Sequence, residues 1–170
     1  LKKDSCMSRQ GIPDYLVTMR KPGDNPERVG HTNESFPVQS WQNYASPVWM
    51  DIEPFDTLNF RSAREHKDER HICPLQLEVI RRCVRLYTNA GGTVIDPFIG
   101  IGSTAWVAIE QGRNVVGFEL KESYWTQSIR NSERALRRRL EEQTLPLFEG
   151  LSPLPILQEP MDSPSVLPAN

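Results

Sequence analysis

Residues 74–142 alternate between helical and strand patterns, and this alternation is the strongest constraint on the fold. Apolar residues recur at helical spacing in three stretches, and two short apolar runs lie between them. In order, the pattern predicts a helix from Pro74 to about residue 88, a strand over 93–96, a glycine loop over 97–102, a helix over 103–111, a strand over 114–118 and a helix over 122–142. Strand, helix and strand in this order predict a βαβ unit with parallel strands.

We therefore expect an α/β fold with a mostly parallel sheet and helices on both faces. A further strand is predicted over 14–21, before a loop rich in Pro, Asn, Gly and Ser. These strands are too few for a complete sheet of this kind. The interpretation is a partial fold whose missing strands lie before Leu1, so that the chain is a fragment. The proline-rich residues 143–170 are predicted to be a disordered tail.

Composition excludes several classes of protein. The chain has 20 Lys and Arg against 22 Asp and Glu, which argues against a uniformly basic nucleic-acid-binding protein. No run approaches the roughly 20 apolar residues of a membrane helix, and residues 1–10 lack the apolar core of a signal peptide. The three cysteines and three histidines have no metal-ligand spacing, so no metal site and a reducing cytoplasm are expected.

The glycine loop is the first candidate site. Residues 100–105, Gly-Ile-Gly-Ser-Thr-Ala, fit the G-x-G-x-x-G/A pattern of nucleotide-binding loops, follow a strand and open a helix. Glu119, after the second strand, lies 23 positions beyond Asp96, near the spacing of an acid that binds ribose hydroxyls. The alternatives are a tight strand-to-helix turn and an ordinary exposed carboxylate.

The residues before the glycines distinguish between cofactors. A dinucleotide needs free N–H groups for its pyrophosphate, and the carboxylate of Asp96 would repel it. S-adenosylmethionine carries an ammonium and a sulfonium and no phosphate, so it suits an acidic residue at this position. Asp96 near its amino-acid moiety, the glycines for close approach and Glu119 on the ribose form one consistent pocket. Phe98 would contact the adenine or the methionine arm, or else pack as a core aromatic.

The stretch 96–104, Asp-Pro-Phe-Ile-Gly-Ile-Gly-Ser-Thr, resembles the D-P-F-x-G-x-G-[ST]-[ST] motif of DNA methyltransferases that modify N6 of adenine or N4 of cytosine. Residues 112–119 with Tyr124, residues 71–76 and residues 14–21 resemble further segments of its beta class. Residues 14–60 are most similar to phage and prophage members of the family. The resemblance covers about 14–140 and implies a Rossmann-like methyltransferase fold. The cofactor-binding residues that it implies, together with the pocket above, are His71, Cys73, Pro74, Asp96, Pro97, Phe98, Gly100, Gly102, Ser103, Thr104 and Glu119.

The resemblance also predicts the domain organisation. Residues 1–70 correspond to the end of the catalytic half with target-recognition material, and residues 71–142 to the region that binds S-adenosylmethionine. The family's catalytic tetrapeptide, D/N/S-P-P-Y/F/W, is absent from this chain and is expected N-terminal to Leu1, so the chain should have little or no methylation activity alone. The nearest string, Ser-Pro-Val-Trp at 46–49, is interpreted as structural.

The function that the resemblance implies is site-specific methyl transfer from S-adenosylmethionine to an exocyclic amine of double-stranded DNA, after the base leaves the stack. A cognate restriction nuclease and a homodimer are the expected partners, with no membrane, in the cytoplasm of a bacterium or of a phage-infected host. The alternatives are a NAD-dependent oxidoreductase and an inactive DNA-binding remnant. The candidate DNA-binding residues are Arg61, Arg64, Arg130, Arg134 and Arg137, with a solvated linker and an ordinary outer helix face as the alternatives.

Overall fold

The computed structural model describes residues 14–59 and 74–148, with side chains up to residue 144. Four helices and two strands occur in these ranges. They are α1 (Val38–Tyr44), α2 (Leu77–Tyr87), β1 (Thr93–Asp96), α3 (Ser103–Glu110), β2 (Asn114–Gly117) and α4 (Glu122–Phe148). The order from α2 to α4 is the predicted one.

The two strands are parallel and are joined by α3, which confirms the βαβ unit and a partial Rossmann-like α/β fold. Their register pairs Val94 with Val115 and Ile95 with Val116. Val94 packs against the core, whereas Ile95 and Val116 are exposed. The sequence predicts helices on both faces of the sheet. Among the described residues, helices cover the face that carries Val94.

The core lies between α2, α3 and the strands. Leu77, Ile80 and Val84 form the buried face of α2, as their spacing predicts, and Val107 of α3 is fully buried. Each such side chain contributes about 1.5–3 kcal/mol through burial. The helix begins at Leu77 and not at the predicted Pro74, because the Leu77 N–H donates to the carbonyl of Asp56 from the preceding segment, at 2.8 Å.

Helix α4 packs on α3 through small and polar side chains. Gln127, Ser128, Asn131 and Ala135 are buried on this side. The large apolar residues of α4 form a stripe on a neighbouring face and stay about half exposed; they are Trp125, Ile129, Leu136 and Leu140. α4 also extends to Phe148, six residues beyond the predicted end at Glu142. The first residues of the predicted disordered tail, 143–148, are therefore helical, and residues 149–170 lie outside the described residues.

The predicted strand over 14–21 is wrong. These residues have no strand partner in the described part of the chain, and Tyr15, Val17 and Met19 are each more than 70% exposed. A strand requires a neighbour for its backbone hydrogen bonds, and alternation in the sequence does not supply one. The only described sheet is the parallel pair β1–β2.

The segment 38–58 is anchored to α2 by Arg82, which is only 4% exposed. Its guanidinium donates two hydrogen bonds to the Asp51 carboxylate, at 2.7 and 3.0 Å, and one to Glu78 at 2.9 Å. It also lies over the rings of Tyr44 and Trp49, at 5.2 and 5.1 Å. The hydrogen bond from Arg82 lowers the pKa of Asp51, and the same bond raises the pKa of Arg82. Arg82 therefore stays charged although it is buried.

Candidate cofactor-binding site

A cavity of about 370 Å³ lies beyond the carboxyl end of β1, between the glycine loop and the start of α3. Parallel α/β sheets commonly bind ligands at this edge. The loop that joins β1 to α3 lies at this edge, because β1 ends here and α3 runs back across the sheet. Its lining residues are Pro74, Leu75, Ile80, Asp96, Phe98, Ile99, Gly100, Ile101, Ser103, Thr104 and Tyr124.

Asp96 is the acidic residue of the cavity wall. Its Oδ1 accepts a hydrogen bond from the Phe98 N–H at 2.9 Å, and its backbone carbonyl accepts one from the Phe118 N–H at 3.0 Å. These two bonds fix the carboxylate at the end of β1. Among the described residues, no donor reaches its second oxygen, Oδ2, so that atom can accept a hydrogen bond from a ligand.

Glu119 closes the adjacent side of the loop. Its Oε2 accepts a hydrogen bond from the Gly100 N–H at 3.0 Å, and its Oε1 accepts one from the Lys121 N–H at 2.9 Å. The carboxylate thus connects the end of β2 to the glycine loop. A carboxylate has about four lone-pair sites, so both oxygens can accept further hydrogen bonds, including those of ribose hydroxyls.

The loop's own amides are largely occupied. The N–H groups of Phe98 and Gly100 donate to the two carboxylates, as described above. That of Ile99 donates to the carbonyl of Phe118, and that of Gly102 donates to the carbonyl of Ile99. A pyrophosphate needs such groups free and facing it. This loop instead presents two carboxylates, a surface that disfavours a phosphate and favours a cationic ligand.

The two glycines of the loop have different roles. Both have positive φ, +55° at Gly100 and +93° at Gly102. A Cβ on Gly100 would meet no heavy atom nearer than 4.0 Å, so its open side faces the cavity. A Cβ on Gly102 would lie 3.1 Å from both Cα and Cβ of Ser128. Gly100 therefore allows a ligand to approach closely, whereas Gly102 allows α4 to do so.

The comparisons with known proteins agree with this geometry. A family model described as a DNA methylase, of the N6/N4 type, matches residues 12–130, which is most of the chain. This chain belongs to the N6/N4 DNA methylase family. The matched residues include both strands, the glycine loop, Asp96 and Glu119.

Relatives of this chain include two type II methyltransferases. M.BglI of Bacillus subtilis is 31% identical over 121 residues, covering 71% of this chain and 30% of that protein. M.ScaI of Streptomyces caespitosus is 38% identical over 104 residues, covering 58% of this chain and 34% of that protein. The chain therefore spans about a third of the length of these relatives.

A solved structure from Thermus thermophilus has a related fold. That protein, assigned as a DNA modification methylase and complexed with S-adenosyl-L-methionine, matches with a TM-score of 0.51 and 27% identity. The match covers 69% of this chain and 41% of that one. The α/β fold expected from the sequence is therefore found in a solved relative.

The structure brings most of the predicted cofactor residues of this methylase together. Pro74, Ser103 and Thr104 line the cavity with Asp96 and Gly100. Phe98 also lines it and is 86% exposed, so its ring is free to cover a ligand and is not a core aromatic. The remaining predicted residues fall into two groups. Pro97 and Gly102 belong to the loop and Glu119 is bonded to it at Gly100, but none of the three is in the cavity lining. His71 and Cys73 lie outside the described residues.

Tyr124 is a lining residue that the sequence analysis placed beside the resembling stretch 112–119 but did not name as a cofactor-binding residue. Its ring lies under the ammonium group of Lys121, at 4.4 Å, and against the core. The helical period gives the relevant signal: Tyr124, Gln127, Asn131 and Ala135 follow at spacings of three and four on the face that packs on α3 and the loop. The tyrosine therefore enters the cavity from the first turn of α4.

The predicted DNA-binding arginines of α4 differ in their surroundings. Arg130 and Arg137 are exposed and have no ion-pair partner among the described residues. The guanidinium of Arg134 lies 5.9 Å from the centre of the Trp106 ring. Arg138 pairs with Glu142 at 2.9 Å and with Glu110 at 3.5 Å, which makes it a structural residue. Arg61 and Arg64 lie outside the described residues.

Two other kinds of site do not occur in the described residues. In 14–59 and 74–148, no three His, Cys, Asp or Glu side chains meet as they would around a metal ion. Across the same ranges, no helix combines the length and the apolar character needed to cross a membrane.

A second cavity, of about 340 Å³, lies between α1 and α2 and contains none of the predicted site residues.

Proposed function

We propose that this chain supplies the S-adenosylmethionine-binding part of a DNA methyltransferase that acts on N6 of adenine or N4 of cytosine. The observation that carries the proposal is the cavity at the end of β1. It is bounded by Asp96 and by a glycine loop whose amides are already engaged, two of them by the carboxylates of Asp96 and Glu119. Family membership over residues 12–130 supports the same assignment.

The residues present fit this cofactor. Asp96 offers a free carboxylate oxygen to its ammonium group, Glu119 offers acceptors to ribose hydroxyls, and Gly100 leaves room beside the loop. Phe98, exposed at the cavity, would cover the adenine or the methionine arm. When bound, S-adenosylmethionine supplies an electrophilic methyl group. The chain's own part is to bind and orient that group, since positioning contributes much of the rate in such transfers.

A nicotinamide dinucleotide fits the site less well. Two carboxylates bound the loop, and four loop N–H groups already donate within the protein. A pyrophosphate there would lose these donors and face two negative charges. The oxidoreductase alternative therefore has no support at this site.

We assign to this chain no catalytic residue that would act on the target nucleobase. The sequence contains no D/N/S-P-P-Y/F/W tetrapeptide. The nearest string ends at Trp49, whose indole N–H donates to the carbonyl of Tyr44 at 3.0 Å and whose ring lies against Arg82. This tryptophan is occupied in anchoring 38–58, which supports the structural interpretation of residues 46–49.

Double-stranded DNA is the proposed substrate, and a base must leave the stack before its amine can be methylated. Arg130 and Arg137 are the proposed phosphate contacts on α4, because both are exposed without an ion-pair partner among the described residues. A restriction nuclease with the same recognition sequence, a homodimer and a cytoplasmic location in a bacterium or phage-infected host complete the proposal.

Removing the carboxylate of Asp96 tests the cofactor assignment. We expect Asp96→Ala to weaken S-adenosylmethionine binding about 10- to 100-fold, the effect of one charge-assisted hydrogen bond. Isothermal titration calorimetry on the 170-residue chain measures this directly. Glu141→Gln, an exposed acid on α4 away from the cavity, is the matched control and should leave the affinity unchanged. Equal affinity of Asp96→Ala and the parent would contradict the assignment.

A further inference from the structure

A pair of buried amides on α4 holds the glycine loop from behind. Gln127 and Asn131 are 8% and 3% exposed and lie one turn apart. The Gln127 Nε2 donates to the Asn131 Oδ1 at 3.1 Å, and the Asn131 Nδ2 donates to the backbone carbonyl of Ile101 at 2.8 Å. A polar pair buried at this depth is uncommon unless its groups are satisfied by each other or by the backbone.

The carbonyl that Asn131 holds lies between the two glycines. Ile101 is 4% exposed, and its neighbours, Gly100 and Gly102, both have positive φ. A buried carbonyl needs a donor, and among the described residues the donor to this one is the side-chain amide of Asn131. The Asn131 amide therefore holds the loop from the side of α4, in addition to the bond between the Gly100 N–H and Glu119.

We propose that Asn131, oriented by Gln127, is a positioning residue for cofactor binding. It does not touch the cofactor; it fixes the Ile101 carbonyl and thereby the glycine loop. The role in binding rests on the proposed function, whereas the role in ordering the loop does not. A loop that is ordered for only part of the time binds its ligand more weakly in the same proportion.

Asn131→Leu removes the donor and keeps the branching and the number of heavy atoms of the side chain. We expect it to weaken S-adenosylmethionine binding about tenfold, the effect of one buried carbonyl left unpaired. Ala135→Gly is the control: this residue is fully buried on the same face one turn later, and the change destabilises α4 without touching the loop. The control should keep an affinity within about twofold of the parent, and equal loss in both variants would overturn the proposal.

Hydrogen exchange of the loop amides gives a readout that needs no cofactor. Exchange at Gly100 and Gly102 should become about tenfold faster in Asn131→Leu than in Ala135→Gly, measured by NMR on the 170-residue chain. If Asn131→Leu does not fold, Gln127→Met takes its place, with a smaller acceleration in the same direction. Unchanged exchange at both glycines would overturn the proposal. Faster exchange in the variant, together with a parent chain that binds no S-adenosylmethionine, would contradict only the proposed function.

Discussion

Gly102→Ala tests how closely α4 approaches the glycine loop. At φ +93° an L residue is strained, at about 1–2 kcal/mol. The new methyl would also lie 3.1 Å from Cα and Cβ of Ser128 and 3.3 Å from its carbonyl oxygen. These atoms belong to, or adjoin, the backbone of α4 and cannot rotate away, so overpacking adds about 1–3 kcal/mol. The expected loss is about 2–5 kcal/mol.

Gly91→Ala separates the two contributions. Gly91 also has positive φ, +74°, but a Cβ there would meet nothing within 4 Å. This variant should lose only the backbone part, about 1–2 kcal/mol. Urea unfolding of both variants, followed by circular dichroism, gives the difference in the free energy of unfolding. Gly102→Ala should be less stable than Gly91→Ala by about 1–3 kcal/mol. Equal stabilities would refute the close approach of Ser128.

Two further predictions concern charged residues. The hydrogen bond from Arg82 lowers the pKa of Asp51, so this pair stabilises the fold above the usual Asp pKa of about 4 and stops doing so as the pH falls through the lowered value. In thermal unfolding, Asp51→Asn should be less stable than the parent at pH 7, and this difference should shrink as the pH falls through the lowered pKa of Asp51. A difference that stays constant as the pH falls would contradict the account. If Arg130 and Arg137 contact phosphates as proposed, replacing both by Gln should lower the slope of log affinity for DNA against log salt by about two. Arg138→Gln, already paired with acids, should leave it unchanged, and an unaffected slope in the double variant would exclude these phosphate contacts.

The order of elements from α2 to α4 could be predicted because its signals are local. Helical spacing, glycines after helices and short apolar runs each act over a few residues. The structure places these elements within three residues of their predicted bounds, except for the end of α4, which lies six residues further on. The strand over 14–21 could not be judged in the same way, because a strand is defined by a partner that the sequence does not identify. Helix α1 has no buried residue and left no periodic signal.

The two acidic residues of the site could be predicted from the sequence, whereas Asn131, which holds the glycine loop, could not. Asp96 and Glu119 follow strands, and parallel strands place their carboxyl ends together, so their proximity follows from the topology. Asn131 gave no such signal, because a polar residue within a basic helix is typical of a solvent-facing position. Its burial depends on the packing of α4 against α3 and on Gly102, which is a property of the tertiary structure.

Titration of the parent chain with two cofactors tests the central claim most directly. The glycine loop, bounded by two carboxylates and with its amides engaged, should bind S-adenosylmethionine with one site per chain in isothermal titration calorimetry. Under the same conditions NAD should give no measurable heat of binding. Binding of NAD without binding of S-adenosylmethionine would contradict the account of this site.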